Sequence, residues 1–316
     1  MAAPLIEVKN VKKYFSVPAG KNHAVDDVSF TIEKGQTLGV VGESGCGKST
    51  LGRAIIRLHE ATDGQVLLNG EDITHVQGKK LRAVREKCQI IFQDPYSSLN
   101  PRMNIKSTIV EPLKHQKLSR AERKEKAESL MDLVGIDQRL RESYPHELDG
   151  GRRQRVGIAR ALALNPDFIV CDEPVSALDV SIQAQVLNLL MDLQDKMGMA
   201  YMFVTHDLSV VKHISDHIAV MYLGQLVEKC TTRDLFTNTL HPYTKALLSA
   251  IPVANIHTPM VRIPMKGEIT SPINPKPGCR FASRCPYAKD ICRQPQKLEE
   301  VEPGHFVSCC RVKELG

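Results

Sequence analysis

The chain has 316 residues, of which 42% are hydrophobic and 25% charged, with a formal net charge of +6. That composition is ordinary for a globular protein, and the charge makes no case for nucleic acid by itself. No uncharged apolar run reaches the length of a membrane-crossing helix, and Met1–Lys9 has no apolar segment behind a basic start, so neither a span nor a signal peptide is expected.

Cysteine is unevenly distributed: five of the nine fall after residue 278. In a chain read as cytosolic, disulfides are rare, which leaves burial and metal ligation as the competing readings.

Taken in chain order, the first clear element is Thr37–Val41 (TLGVV), a buried strand by composition. It runs into Gly42, Glu43, Ser44, Gly45, Cys46, Gly47, Lys48 and Ser49, which fit G-x-x-x-x-G-K-[ST]. A helical pattern follows from Ser49 to about Leu58. Strand, glycine-rich loop and helix are the context the motif requires. Glycines let backbone N–H groups face an anion, and a helix N-terminus adds its positive dipole end. Lys48 then bridges the β- and γ-phosphates, and Ser49 ligates Mg²⁺. Cys46 within this loop reads as a space-filler.

The stretch from about Asn100 to Leu148 is charged, helical in pattern and poor in strand signals. Arg153–Leu164 and Ser181–Met197 carry apolar residues at helical spacing, while Asp167–Cys171 and Ala200–Thr205 read as buried strands. Alternating strands and helices predict an α/β fold with a mainly parallel sheet and an inserted α-helical subdomain. Asp172 and Glu173 follow the second strand. An Asp at a core strand end can hold a Mg²⁺ shell, and a neighbouring Glu can polarise attacking water.

Nine of the 18 prolines lie at or after Pro252, which predicts a loop-rich, cysteine-containing C-terminal extension. The expected organisation is an ATPase domain over 1–250, its helical subdomain over about 94–160, and the extension over 251–316.

With these residues in place, the chain resembles the ATP-binding-cassette (ABC) ATPases, a P-loop family. Gln93 resembles the Q-loop glutamine, and Leu148, Asp149, Gly150, Gly151 and Arg152 occupy the place of the LSGGQ signature. Ser176 and Asp179 resemble the D-loop, and His206 the switch histidine. Phe15 stands where the family stacks an aromatic on adenine, with Tyr14 beside it as the second candidate. The resemblance implies ATP binding by Phe15, residues 42–49, Thr50 and Gln93. It implies Mg²⁺ binding by Ser49, Gln93 and Asp172, and catalysis by Lys48, Gln93, Glu173 and His206. It also implies a head-to-tail pair of ATPases, each ATP lying between one phosphate loop and the partner's signature.

The signature departs from the family at Asp149, where Ser is usual, and at Arg152, where Gln is usual. An ionised carboxylate cannot donate to a γ-phosphate, and two unit charges about 5 Å apart repel by roughly 3 kcal/mol at an effective dielectric near 20. Asp is nonetheless a good helix N-cap, and Arg152 could neutralise it. Two readings stay open: a slow ATP site completed by this signature, which favours a heterodimer with a paralogous ATPase, or two working sites.

The segment from Gln93 to Arg102 (QDPYSSLNPR) and the tail from Gly267 to Pro286 resemble ATPases of oligopeptide, dipeptide and nickel importers, most closely the second ATPase subunit of dipeptide importers. That branch implies two membrane permeases as partners, a substrate-binding protein engaged indirectly, no nucleic acid, and a peripheral location at the cytoplasmic face of the membrane. It also implies a [4Fe–4S] cluster on Cys279, Cys285, Cys292 and Cys309, with zinc as the alternative. A nickel-chelate importer, a non-transport ABC protein acting on nucleic acid or ribosomes, and a regulatory module without turnover are the competing functions.

Overall fold

A computed structural model describes residues 3–251, 262–268 and 270–315. The boundary expected near residue 250 runs into 252–261, which lie outside the described residues, as does Ile269 of the tail. The strands are β1 (Ile6–Val17), β2 (Gly20–Ile32), β3 (Thr37–Val41), β4 (Asp63–Leu68), β5 (Glu71–Asp72), β6 (Cys88–Ile91), β7 (Phe168–Asp172), β8 (Ala200–Val204), β9 (His217–Tyr222), β10 (Gln225–Thr231), β11 (Glu299–Glu302) and β12 (His305–Val307). The helices are α1 (Lys48–Ile55), α2 (Gly78–Lys87), α3 (Ile105–Val110), α4 (Arg120–Leu133), α5 (Gly150–Leu162), α6 (Val180–Met197), α7 (Leu208–Ile214), α8 (Thr232–Thr237), α9 (Pro242–Ser249) and α10 (Val312–Leu315).

The chain folds as two compact units. The first comprises Met1–Ile32, Thr37–His75 and Phe203–Gly316. In it, β1 and β2 form a long antiparallel hairpin from Ile6↔Ile32 to Val17↔Gly20, and β4 and β5 extend it. Register shifts interrupt β1 at Val8/Val11 and beyond. A bulged strand loses its strict alternation, so this hairpin leaves little periodic signal in the sequence. The same unit pairs β3 with β9 in parallel, followed by antiparallel β10, β12 and β11. All five residues of β3 are buried, as its unbroken apolar run requires. The extension, predicted to be poor in strands, thus contributes two of them.

The second unit comprises Glu33–Gln36 and Val76–Met202. Here β6 pairs in parallel with β7, from Cys88↔Phe168 to Ile91↔Cys171. β7 is buried along its length. The expected helical insert is present as α3, α4 and α5. Helix α4 opens with a capping box, in which Ser119 and Glu122 each satisfy the other's backbone amide. Helix α6 ends on Gly198 in a left-handed conformation, φ 66°. Strand β8 begins in this unit and ends in the first.

Helix α9 starts at Pro242 behind a histidine cap. Nδ1 of His241 accepts the Tyr243 N–H at 3.1 Å, and His241 is 1% exposed. Burial holds its pKa down at about 4, against an opposing pull from Glu228. An imidazole that accepts through Nδ1 loses that bond on protonation. The unfolded chain takes up the proton near pH 6.5 and the folded chain does not, so stability is full above that value and falls as the pH drops. Glu228, held below its usual range, loses its contribution only below pH 4.5. Between pH 6.5 and 4.5 the wild-type chain should lose about 2–3 kcal/mol through His241. His241→Asn, which keeps an acceptor without titrating, should lose that much less across the window in urea unfolding.

Candidate nucleotide site

The loop from Gly42 to Lys48 turns through left-handed backbone that excludes side chains. Gly42 has φ 151° and Gly47 φ 106°. A Cβ on Gly42 would meet the Met221 carbonyl at 2.1 Å, and one on Gly47 the Ala24 carbonyl at 1.9 Å. Both glycines are therefore demanded by conformation and by close backbone approach. Gly47 caps α1 without any side-chain hydrogen bond to its opening amides. Lys48 is 5% exposed and donates through Nζ to the carbonyls of Gly42 at 2.8 Å and Glu43 at 3.0 Å. Ser49 and Thr50 lie in the first turn of the helix. Cys46 is buried, and burial pushes its thiol pKa up against the opposing pull of Lys48, so it packs as a neutral group.

Glu43 is held from three sides. Its N–H donates to the Tyr243 hydroxyl at 2.9 Å, its carbonyl accepts from Lys48, and its carboxylate takes a two-pronged contact from Arg284. Sequence reasoning found neither Tyr243 nor Arg284. They stand 200 and 241 positions away in the chain, and no local motif marks them.

Phe15 lies on β1, edge-on to His59 at 5.8 Å and with Lys13 Nζ 4.9 Å from its ring centre. Tyr14 stacks on His23 at 3.9 Å and hydrogen bonds to Asp26. The tyrosine is thus committed to its own unit's packing. His206 is exposed and lies just beyond β8, before Asp207, which caps α7 by accepting the Ser209 N–H at 2.8 Å.

In the second unit, parallel register does the placing. Ile91 pairs with Cys171, so Gln93 and Glu173, each two residues further on, come level. Gln93 Nε2 donates to Glu173 Oε2 at 3.0 Å. Asp172 is 2% exposed at the end of β7. Glu173 has φ 48°, a strained value for a residue with a Cβ, of the kind that concentrates at functional sites. Ser176 turns back on it, donating its hydroxyl to the Glu173 carbonyl at 3.1 Å.

The signature segment caps α5 through Asp149, whose Oδ1 accepts the Arg152 N–H at 2.7 Å. Arg152 Nε lies 3.5 Å from Asp149 Oδ2, with both side chains more than half exposed. An exposed pair of this kind contributes about 0–1 kcal/mol. A Cβ on Gly151 would stand 2.7 Å from Ile182, and one on Gly150 3.1 Å from Leu178. The two glycines therefore let the start of α5 approach the start of α6, which Asp179 opens as N-cap. Further along α5, Arg160 donates to the Ser98 carbonyl at 2.6 Å and Arg153 lies over the Tyr96 ring at 5.0 Å. Those arginines tie the segment following Gln93 to the signature helix.

The expectation of a [4Fe–4S] cluster, or of zinc, on Cys279, Cys285, Cys292 and Cys309 is corrected. Those four sulfurs form no three-donor group within 4.8 Å; among the described residues that group is Glu228, Cys230 and His305. The Glu228 carboxylate there already accepts from the N–H groups of Leu240 at 2.8 Å and His241 at 3.1 Å, and meets His305 Nε2 at 2.8 Å, so it serves a hydrogen-bonded network. Cys292 Sγ accepts from the Cys310 thiol at 3.9 Å, a residue outside the expected set. A proline-rich, loop-rich tail needs something to hold it in place. That role is filled by Phe281, 1% exposed and packed on Tyr222 and Tyr243. The arginines beside it add ion pairs, Arg280 to Asp26 and Arg284 to Glu43.

Residues 25–176 match the model of the ABC transporter family, and residues 227–292 that of the oligopeptide/dipeptide transporter C-terminal region. The oligopeptide transport ATP-binding protein AppF of Bacillus subtilis is 51% identical, across 96% of each chain. The dipeptide transport ATP-binding protein DppF of Haemophilus influenzae is 49% identical, across 98% of this chain and 97% of its own. Among solved structures, the ATP-binding cassette MJ0796, a dimer bound to ADP and Pi, is 28% identical with a TM-score of 0.66, across 72% of this chain and 99% of that one. These relatives carry ATP-binding names, and none of those names mentions an iron–sulfur centre.

Gly47→Ala forces a Cβ against the Ala24 carbonyl at a φ that such residues avoid. Backbone strain of about 1–3 kcal/mol corresponds to a weakening of nucleotide binding by about fivefold to a hundredfold. Titration of the full chain with a fluorescent ATP analogue checks it, with far-UV circular dichroism expected to be unchanged.

Proposed function

This chain belongs to the ABC transporter family, in the branch that carries the oligopeptide/dipeptide transporter C-terminal region, and on that premise we propose that it hydrolyses ATP to energise peptide import through a membrane transporter. The observation that carries the catalytic part is the Gln93–Glu173 contact beside buried Asp172. Glu173 polarises the attacking water, and Gln93 holds that carboxylate until nucleotide and metal engage it. Lys48 contacts the β- and γ-phosphates, with the backbone of 42–50 around them. Phe15 stacks on the adenine, and His206 reaches the γ-phosphate. Ser49, Gln93 and Asp172 offer hard oxygen donors, the chemistry Mg²⁺ selects. When bound, the metal neutralises charge building on the transferred phosphoryl group.

Residues 149–152 and the D-loop residues Ser176 and Asp179 act on the ATP of a second ATPase, a paralogue, in a head-to-tail pair. Residues 1–250 form the ATPase domain and 251–316 the extension. The insert at about 94–160 meets two permeases, because Arg153 and Arg160 couple the signature helix to the segment after Gln93. No helix among the described residues is long and apolar enough to cross a membrane. We place the subunit peripherally at the cytoplasmic face, with a substrate-binding protein engaged only through the permeases. The peptide cargo follows from the relatives' names.

Glu173→Gln tests the catalytic assignment. ATP turnover of the assembled complex should fall by roughly a hundredfold or more, while analogue binding persists; turnover near the wild-type rate would remove Glu173 from the mechanism. Asp149→Ser tests the asymmetry of the pair. Relieving a repulsion of roughly 3 kcal/mol should raise turnover of the complex, and unchanged turnover would show that both sites already work.

A further inference from the structure

Arg284 belongs to the C-terminal extension and has no part in the reading above. The residue is 7% exposed. It forks onto Glu43, Nη1 to Oε2 at 2.6 Å and Nη2 to Oε1 at 3.1 Å, and Nη1 also lies 3.4 Å from the Tyr222 hydroxyl. Bidentate arginine–carboxylate geometry is the strong and directional form of this interaction. Arg284 is itself fixed. Its N–H donates to the Phe281 carbonyl at 2.9 Å, Phe281 is buried against Tyr222 and Tyr243, and Arg280 bonds the Leu223 carbonyl and Asp26.

Glu43 is an awkward residue for its place. It follows Gly42 directly, inside a loop whose task is to receive a polyanion, and its charge repels that ligand. We propose that Arg284 is a positioning residue for nucleotide binding, neutralising the Glu43 carboxylate and fixing it to the extension so that the phosphate loop accepts ATP. The C-terminal extension is then part of what makes the loop competent, and its folding and nucleotide affinity are linked. The proposal rests on the ATP-binding reading above.

The test uses the full chain and a fluorescent ATP analogue, with thermal unfolding run on every variant. Arg284→Ala should weaken binding by roughly tenfold, the effect of one unscreened charge nearby. Arg284→Lys keeps the charge but loses the fork, so binding should fall by less than in Arg284→Ala. Adding Glu43→Gln to Arg284→Ala should restore most of the affinity, because the repelling charge is gone; a merely structural arginine would give no such rescue. Glu43→Gln alone keeps an acceptor for Arg284, so the brace stays while the repelling charge goes, and it should bind at least about threefold more tightly. That single variant decides the matter if Arg284→Ala fails to fold. Unchanged binding in Arg284→Ala, a double variant as weak as the single, or weaker binding in Glu43→Gln would overturn the proposal. A wild-type chain without saturable binding would sink the ATP reading itself.

Discussion

A loop that binds phosphate must bring backbone amides onto concentrated negative charge with no side chain in between. That requirement organises the first unit. Gly42 and Gly47 sit in backbone conformations closed to other residues and press against the carbonyls of Met221 and Ala24. A loop wound this tightly has to be braced from outside. Strand β3 anchors its entrance, α1 its exit, and Tyr243 and Arg284 hold its side through Glu43. Lys48 satisfies the inner carbonyls from within. Conformational freedom that ATP would otherwise have to remove is already gone.

The second unit solves a different problem by register. Two parallel strands that begin level deliver their following residues level, which is how Gln93 and Glu173 meet at 3.0 Å. The positive φ of Glu173 and the turn closed by Ser176 fix the direction of its carboxylate. Small residues at Gly150 and Gly151 then let the signature helix pack close to the segment after that turn.

What was legible in the sequence had local causes. Buried strands such as TLGVV and DFIVC announce themselves by unbroken apolar runs, and the phosphate loop by glycines at positions where nothing else fits. Asp149 as a helix cap was likewise readable from its place before α5. The β1–β2 hairpin was hidden because bulges break its alternation. The contacts of Arg284 and Tyr243 were hidden because they span 241 and 200 positions. The tail shows how a compositional argument goes astray. Crowded cysteines left metal ligation open, whereas Phe281, two arginine ion pairs and the strand β12 hold that segment.

The central claim is that ATP turnover on this chain drives peptides across a membrane. It is tested most directly by purifying the native complex, reconstituting it in vesicles, and measuring labelled-peptide accumulation against ATP hydrolysed on the side of this subunit. The account predicts co-purification with two permeases and a second ATPase, and uptake that requires ATP and stops when Glu173 is replaced by Gln. Isolation with RNA in place of membrane subunits, or peptide uptake indifferent to ATP, would contradict it.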